Sequence, residues 1–440
     1  MTKALAGAVI LAALSLLSGC TVHPPGESEE RNAANSAGKS FMHRAASPLP
    51  ERPTEDDMVR RAMESNPELE QKYWEWRAAI EQIPQDGTQS TNLALFAGLG
   101  ITNGSTRLDS ATLGLGNDPM ADIVLPPKLS TAARRALENA RATGLRFRKT
   151  QFELRAKVLN AYADYALTAE MLRLEEANAH LLETAVMAVE AKNRAGAGGQ
   201  QDVLRVRNEL GLAQNDVANL QSQLPAGRAA LNALLDRPVD APIPVPDTMP
   251  MSAPVSQSDG EVLELAASRN PELSALAREV SAHEDGLRLA RLQYLPDVSL
   301  SANTDLTGVT QSLAGMVTVP LLRYQAIDAA VAQAQANLKA TQAMRRHAGN
   351  DLAAQVVIDL SVIRDADRQL GLFEQTILSR ARQAASVVRS SYETGQSSLL
   401  DLLEAQRSVI AVGRLAANLR AVREKRVAEL EAITGRPLPQ

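Results

Sequence analysis

Two long proline-free runs, Lys128–Leu224 and Leu321–Gly435, constrain this chain more than any other feature. Ala, Leu, Arg, Gln and Glu dominate both, and these are strong helix formers. The second run is punctuated at Tyr392-Glu-Thr-Gly-Gln-Ser-Ser398, where a glycine and two serines let a helix turn back. Beyond that point Leu402, Ala405, Val409, Val412, Ala416 and Leu419 recur at steps of three and four. That spacing draws one narrow apolar seam along a helix, as in a coiled coil. The spacing predicts a very long helical hairpin with its tip near Gly395.

The design occurs twice. Gly196-Ala-Gly-Gly-Gln-Gln-Asp202-Val-Leu204 matches Gly395-Gln-Ser-Ser-Leu-Leu-Asp401-Leu-Leu403, and Leu231-Asn-Ala-Leu-Leu-Asp-Arg-Pro238 matches Leu430-Glu-Ala-Ile-Thr-Gly-Arg-Pro437 without a gap. Upstream, Asn66-Pro-Glu-Leu69 pairs with Asn270-Pro-Glu-Leu273, and Leu125-Pro-Pro127 with Val319-Pro-Leu321, at slightly different offsets. Four landmarks in one order mark a tandem duplication. A helix from Lys128 to Arg194 would be on the order of 100 Å long at about 1.5 Å per residue, too long for a compact domain.

The repeats place the rest of the chain. Met1-Thr-Lys3 followed by the apolar Ala4–Leu17 reads as a secretory signal at 1–19, too short to span a bilayer as a helix. Residues 20–53 are rich in Pro, Ser, Asn and charge and read as a flexible tether. The first repeat covers 54–238. It opens with Thr54-Glu-Asp-Asp57, a helix N-terminus, and its helix is expected to break at Asn66-Pro67 and stop near Ile83, before Pro84-Gln-Asp-Gly87. Strands follow at about 91–102 and 110–125, where Leu93, Leu95, Ala97 and Leu99 alternate, and a hairpin tip at about 195–200. A Pro-rich linker at 239–258 leads to the second repeat, 259–437, with strands at about 297–305 and 312–320 and a tip at about 393–398. Each strand has the length of a tilted transmembrane strand. Open sheet edges do not survive in lipid, so strands that span must close a barrel shared among several chains.

Aromatic residues make up only 3% of the chain, and alanine-rich seams replace the bulky core of a large globular domain. A net charge of −5 offers no electrostatic footprint for nucleic acid.

Taken together, the paired Asn-Pro-Glu-Leu segments, strand pairs before long helices, Gly-x5-Asp-x-Leu tips and closing Leu-x-Ala-Ile-Thr-Gly435 resemble the TolC-type outer-membrane efflux proteins. The resemblance covers about Thr54 to Pro437, nearly the whole chain after the leader. It implies a mainly α fold with a small transmembrane β part. The protomers would form a homotrimer whose twelve-stranded barrel continues into a periplasmic α-helical barrel of coiled coils. It also implies partners: a periplasmic adaptor and an inner-membrane pump of the RND type, with drugs or metal ions as cargo and no cofactor. Leu17-Ser-Gly-Cys20 resembles the bacterial lipobox, which implies acylation of Cys20 and, with Thr21 next to it, sorting to the outer membrane. Cys20 is the single cysteine, so no intrachain disulfide is possible.

Family residues fall on particular positions. Acidic side chains that ring the narrow periplasmic entrance match Asp401 and Glu404. Their spacing puts both on one helix face, and crowding in a trimer is expected to raise their pKa values and favour cations. Without the resemblance, the pair reads as two solvated acids. Adaptor-contact turns match Ala195, Gly196 and Ala197, and Thr394, Gly395 and Gln396. A gating arginine of one member is Ser397 here. The strands carry few girdle aromatics.

Other chemistry is thin. His23, His43, His180, His283 and His347 show no metal-ligand spacing, scattered Met249 and Met251 read as linker and gap-filling residues, and Tyr73-Trp-Glu-Trp-Arg77 reads as a packing patch. No phosphate loop or activated nucleophile is present. Besides an efflux duct, two readings stay open: a type I secretion duct, and a non-conducting coiled-coil lipoprotein scaffold of the periplasm.

Overall fold

The computed structural model describes residues 21–43, 47–88, 93–102, 105–115, 121–196, 198–304 and 311–435. The helices, in chain order, are α1 (Glu27–Ala37), α2 (Lys39–His43), α3 (Glu55–Ser65), α4 (Pro67–Gly87), α5 (Pro126–Arg194), α6 (Gln200–Leu234), α7 (Asp259–Arg269), α8 (Pro271–Arg291), α9 (Tyr324–Leu372), α10 (Leu378–Glu393) and α11 (Leu399–Thr434). A π-helix, Phe373–Ile377, joins α9 to α10. Among the described residues the strands are β1 (Leu93–Thr102), β2 (Ser105–Leu115), β3 (Ala121–Ile123), β4 (Asp297–Thr304) and β5 (Gln311–Thr318). The chain divides into two compact bodies, one from Met1–Gly38, Lys72–Phe147 and Glu272–Ala348, the other from Lys39–Gln71, Arg148–Pro271 and Gly349–Gln440.

The first body carries the strands. β1 and β2 pair antiparallel from Leu93↔Leu115 to Thr102↔Ser105, with a bulge between Gly98 and Leu99. β4 and β5 pair from Asp297↔Thr318 to Thr304↔Gln311. The second strand expected at 110–125 is instead two elements. β2 begins at Ser105, and the short β3 pairs with β4 of the other repeat. Residues 116–120, between β2 and β3, lie outside the described residues.

The segment read as a flexible tether is helical instead. Trp76 Nε1 donates to Glu30 Oε1 at 2.7 Å and Arg77 to Asn35 at 2.8 Å, fastening α1 along α4. Glu27 is buried because it accepts from Arg31 at 2.8 Å and pairs with His23 at 2.9 Å. Its composition is polar because it lies on one exposed side, yet Ala34 is sealed at 0% exposure. The Tyr73–Arg77 patch is the reason this works: Tyr73 and Trp76 pack on Phe147, with ring centroids 6.3 and 5.6 Å away. A side chain at Gly38 would lie 2.0 Å from Tyr73 Cζ, so the turn after α1 needs glycine for space.

α4 also runs past its expected end, through Pro84 to Gly87. Proline fixes a φ that a helix accepts, and one missing donor does not stop a buttressed helix. Pro225 lies inside α6 in the same way.

The second body carries the hairpins. Its core includes clusters of α5, α6 and the start of α11 around Leu182, Val206 and Leu403, of α7, α9 and α11 around Val262, Leu360 and Leu430, and of Ala166, Met249, Ala417 and Ala421. Met249 is thus a gap filler from the linker. On α11 the buried line runs through Leu399, Leu403, Ile410, Gly413, Ala417 and Ala421. The seam read from the sequence sits beside it and is only half-buried at Leu402, Val409, Val412 and Leu419. A three-four spacing fits either line, and α11 has an apolar residue for each. The guanidinium of Arg423, 0% exposed, is satisfied by Asp367 at 2.5 Å, Glu424 at 2.6 Å and the Ala253 carbonyl at 3.1 Å.

Candidate functional site

The two tips are built from the same backbone trick. Gly196 and Gly395 adopt φ of +73° and +80°, and nothing lies within 4 Å of a Cβ added at either. Glycine is there for its left-handed conformation, which ends a helix cheaply, not for space. Gly196 N donates to Asn193 O at 2.9 Å and Gly395 N to Tyr392 O at 3.1 Å. Of the turn residues expected to meet an adaptor, Ala195, Gly196, Thr394, Gly395 and Gln396 are exposed or half-buried at these ends, while Ala197 lies outside the described residues.

The tips differ at the next helix start. α11 opens with a capping box: Ser398 N and Oγ donate to Asp401 Oδ2 at 2.9 and 2.8 Å, and Asp401 N donates back to Ser398 Oγ at 3.2 Å. α6 starts at Gly199, which has no side chain to cap with, and the residue in register with Glu404 is Arg205. Only the second repeat therefore carries two exposed acids, Asp401 and Glu404, one turn apart. The Ser398 hydroxyl and backbone N–H hold the Asp401 carboxyl below its usual range. Within one chain the hydrogen bonds favour the charged form, whereas the expectation of a raised pKa concerns carboxylates crowded in a trimer.

Behind the acids, ion pairs join hairpin arms that the sequence could not match. Arg407 donates to both carboxylate oxygens of Glu209, Nε at 3.3 Å. Arg414 donates to the buried Glu175 at 2.8 Å and to Asp216 at 3.1 Å. Lys192 Nζ sits 3.9 Å from the Tyr392 ring centroid and donates to the Tyr392 carbonyl at 3.1 Å, tying one tip to the other. Burial, then the charge of Asp202, pushes the Tyr392 phenol up. Pairs between helices distant in sequence depend on which faces meet, and no spacing rule supplies that. A groove of about 380 Å³ beside these contacts is lined by Leu182, Ala185, Arg382, Arg389, Leu403 and Val409, among others.

Among the described residues no group of three or more His, Cys, Asp or Glu side chains is placed to hold a metal. No described helix is long and apolar enough to cross a membrane. Cys20 lies outside the described residues, but its neighbours are docked: Val22 N donates to Gly87 O at 2.9 Å and Thr21 Oγ1 is 3.1 Å from Thr88 Oγ1.

Comparison with known proteins agrees with this architecture. The pyoverdine export outer membrane protein OpmQ of Pseudomonas aeruginosa is 23% identical over 338 residues, spanning 74% of this chain and 70% of OpmQ. The cobalt-zinc-cadmium resistance protein CzcC of Cupriavidus metallidurans is 26% identical over 288 residues, 63% of this chain and 66% of CzcC. The solved outer-membrane channel OprN superposes with a TM-score of 0.76 at 17% identity, covering 92% of this chain and 95% of OprN. The profile of the outer membrane efflux protein family matches residues 58–237 and again 262–436, one match per repeat. The chain belongs to the outer membrane efflux protein family, the TolC-type outer membrane factors.

Proposed function

We propose that this chain is the passive exit duct of a tripartite efflux system. Three copies close their strands into one outer-membrane barrel, and the helical hairpins extend the conduit through the periplasm. The second-repeat tips narrow its inner mouth with stacked rings of Asp401 and Glu404. The observation that carries this reading is the capped, exposed acidic turn at the start of α11, which the tip of the first repeat lacks. A shared barrel also supplies partners for the open edges of the two small sheets, which lipid does not tolerate. Rings of carboxylates in a constriction attract cations and disfavour anions by focused field.

The tip turns at Ala195–Ala197 and Thr394–Gln396 dock a periplasmic adaptor, which joins the duct to an inner-membrane pump of the RND type. Small molecules, drugs or metal ions, pass without being held, and no bond is made or broken. The names of OpmQ, a pyoverdine export protein, and CzcC, a cobalt-zinc-cadmium resistance protein, support small cargo of either kind. Cys20 is acylated and anchors each protomer to the outer membrane.

Conductance of the purified protein in a planar bilayer tests the mouth. The wild type gives cation-selective steps blocked by a trivalent cation added on the tip side. Asp401→Ala with Glu404→Ala raises anion passage and weakens the block by about tenfold or more. Unchanged selectivity and block in the double variant would remove these two residues from the mouth.

A further inference from the structure

Asp359 of α9 is a carboxyl group that the duct does not use and that the fold has sealed. It is 0% exposed. Its helix neighbours Val356, Leu360 and Ile363 pack with Val262 and Ala266 of α7 and with Val427 and Leu430 of α11. One hydrogen bond reaches it: Gln355 Nε2 donates to Oδ1 at 2.9 Å. No protein group among the described residues reaches Oδ2.

The charged groups around it are few. From α11, Arg426 Nη1 stands 3.6 Å from Oδ1, beyond hydrogen-bond reach, and donates instead to Glu429 Oε2 at 2.6 Å. Glu429 adds a like charge that disfavours a second carboxylate nearby. On α7, Asp259 pairs with Arg364 and Glu261 with Ser258, while Glu264 and Arg269 are exposed. A buried ionised carboxylate needs several donors or a close cation, and without them it keeps its proton. Burial, the largest influence here, pushes this carboxyl up against the opposing Gln355 hydrogen bond and the Arg426 charge. Because the group is already sealed within one chain, a second copy cannot supply the missing donor.

We propose that Asp359 is a proton-binding switch between α9 and α11: protonated, it leaves Arg426 on Glu429, and on losing its proton it draws Arg426 to itself. Arg426 Nη1, 3.6 Å from Asp359, must move to come within hydrogen-bond distance of it. Deprotonation therefore shifts the contact of Arg426 with Glu429, whose other carboxylate oxygen accepts from Asn160 of α5 at 3.3 Å. Proton loss at one side chain thus reaches α9, α11 and α5.

The sign of the pH effect follows. A folded-state pKa raised above the unfolded value leaves stability greatest below the ordinary carboxyl range, and stability falls as pH rises toward the folded value. The test is thermal unfolding of the full-length detergent-solubilised protein from about pH 3.5, below the ordinary carboxyl value, to about pH 8, for wild type and Asp359→Asn. The wild-type midpoint falls across this range relative to the variant, and the variant melts higher at the upper end. A matching observation is the carbonyl stretch of an un-ionised carboxylic acid, seen by infrared in aspartate-labelled wild type at the lower end and lost in Asp359→Asn. A variant that melts lower than wild type at both ends, or a wild type with no such band, would overturn the proposal and make Asp359 an ionised partner satisfied by buried water. Should Asp359→Asn not fold, the wild-type band alone decides.

Discussion

At the residue scale, the acid at the start of α11 has two tasks that share one side chain. Asp401 Oδ2 closes the capping box with Ser398, and the charge that this stabilises is also the charge offered to a passing ion. A depressed folded-state pKa means that the contact stabilises fully above the ordinary carboxyl range and is lost as pH falls through the depressed value. Ser398→Ala removes both the hydroxyl donor and the reciprocal acceptor while leaving Asp401 in place. Cation selectivity of the channel, titrated downward in pH, is then lost at a higher pH than in wild type. If the midpoint does not move, the cap does not set the charge at the mouth. The acids were legible in the sequence as positions. The cap was legible too, since Ser398 stands three residues before Asp401, but its effect on protonation needed the contact geometry.

At the element scale, the duplicated Asn-Pro-Glu-Leu marks turn out to do a duplicated task. Asn66 ends α3, and its Oδ1 accepts from Glu68 N at 3.0 Å and Leu69 N at 3.2 Å to start α4. Its Nδ2 donates to Leu234 O at 3.0 Å, in the last turn of α6. Asn270 ends α7 and donates to Ile433 O at 2.9 Å, in the last turn of α11. Leu234 and Ile433 are in register in the repeat, as are Asp236 and Gly435, which share positive φ of 50° and 67°. Each asparagine therefore fastens the opening of one repeat to its close. Asn66→Ala and Asn270→Ala each remove a helix N-cap and a donor to a terminal carbonyl, costing about 1–2 kcal/mol apiece. Denaturant midpoints measure this, and the two losses should be similar and additive, since no partner is shared. A loss confined to one site would break the functional symmetry of the repeats. The sequence revealed the repeated marks but not what joins them, because the receiving carbonyls lie some 160 residues away and belong to backbone of any composition. The same limit hid α1: a polar helix docked by Glu30, Arg31 and Asn35 has the composition of a linker.

At the scale of the whole molecule, the proposed lipid anchor and the proposed barrel bear on the same end of α4. Cys20 precedes Thr21 and Val22, whose contacts with Thr88 and Gly87 fall just before β1 begins at Leu93. A lipid on Cys20 would thus be attached next to a segment docked on the end of α4, whereas a free tether of thirty-odd residues would let it reach on the order of 30 Å. Two membrane attachments in one protomer predict different sensitivities. Intact-mass measurement of the wild-type protein should show a mature chain beginning at Cys20 with added acyl groups, and Cys20→Ser should lack them. Because a single chain-anchoring lipid holds far less firmly than a closed barrel, the unacylated protein, once assembled, should resist extraction by alkaline wash. Extraction of Cys20→Ser by that wash, with wild type retained, would mean that lipid and not strands holds the protein in the membrane. That outcome would return the chain to a lipid-tethered scaffold and remove the barrel from the proposal.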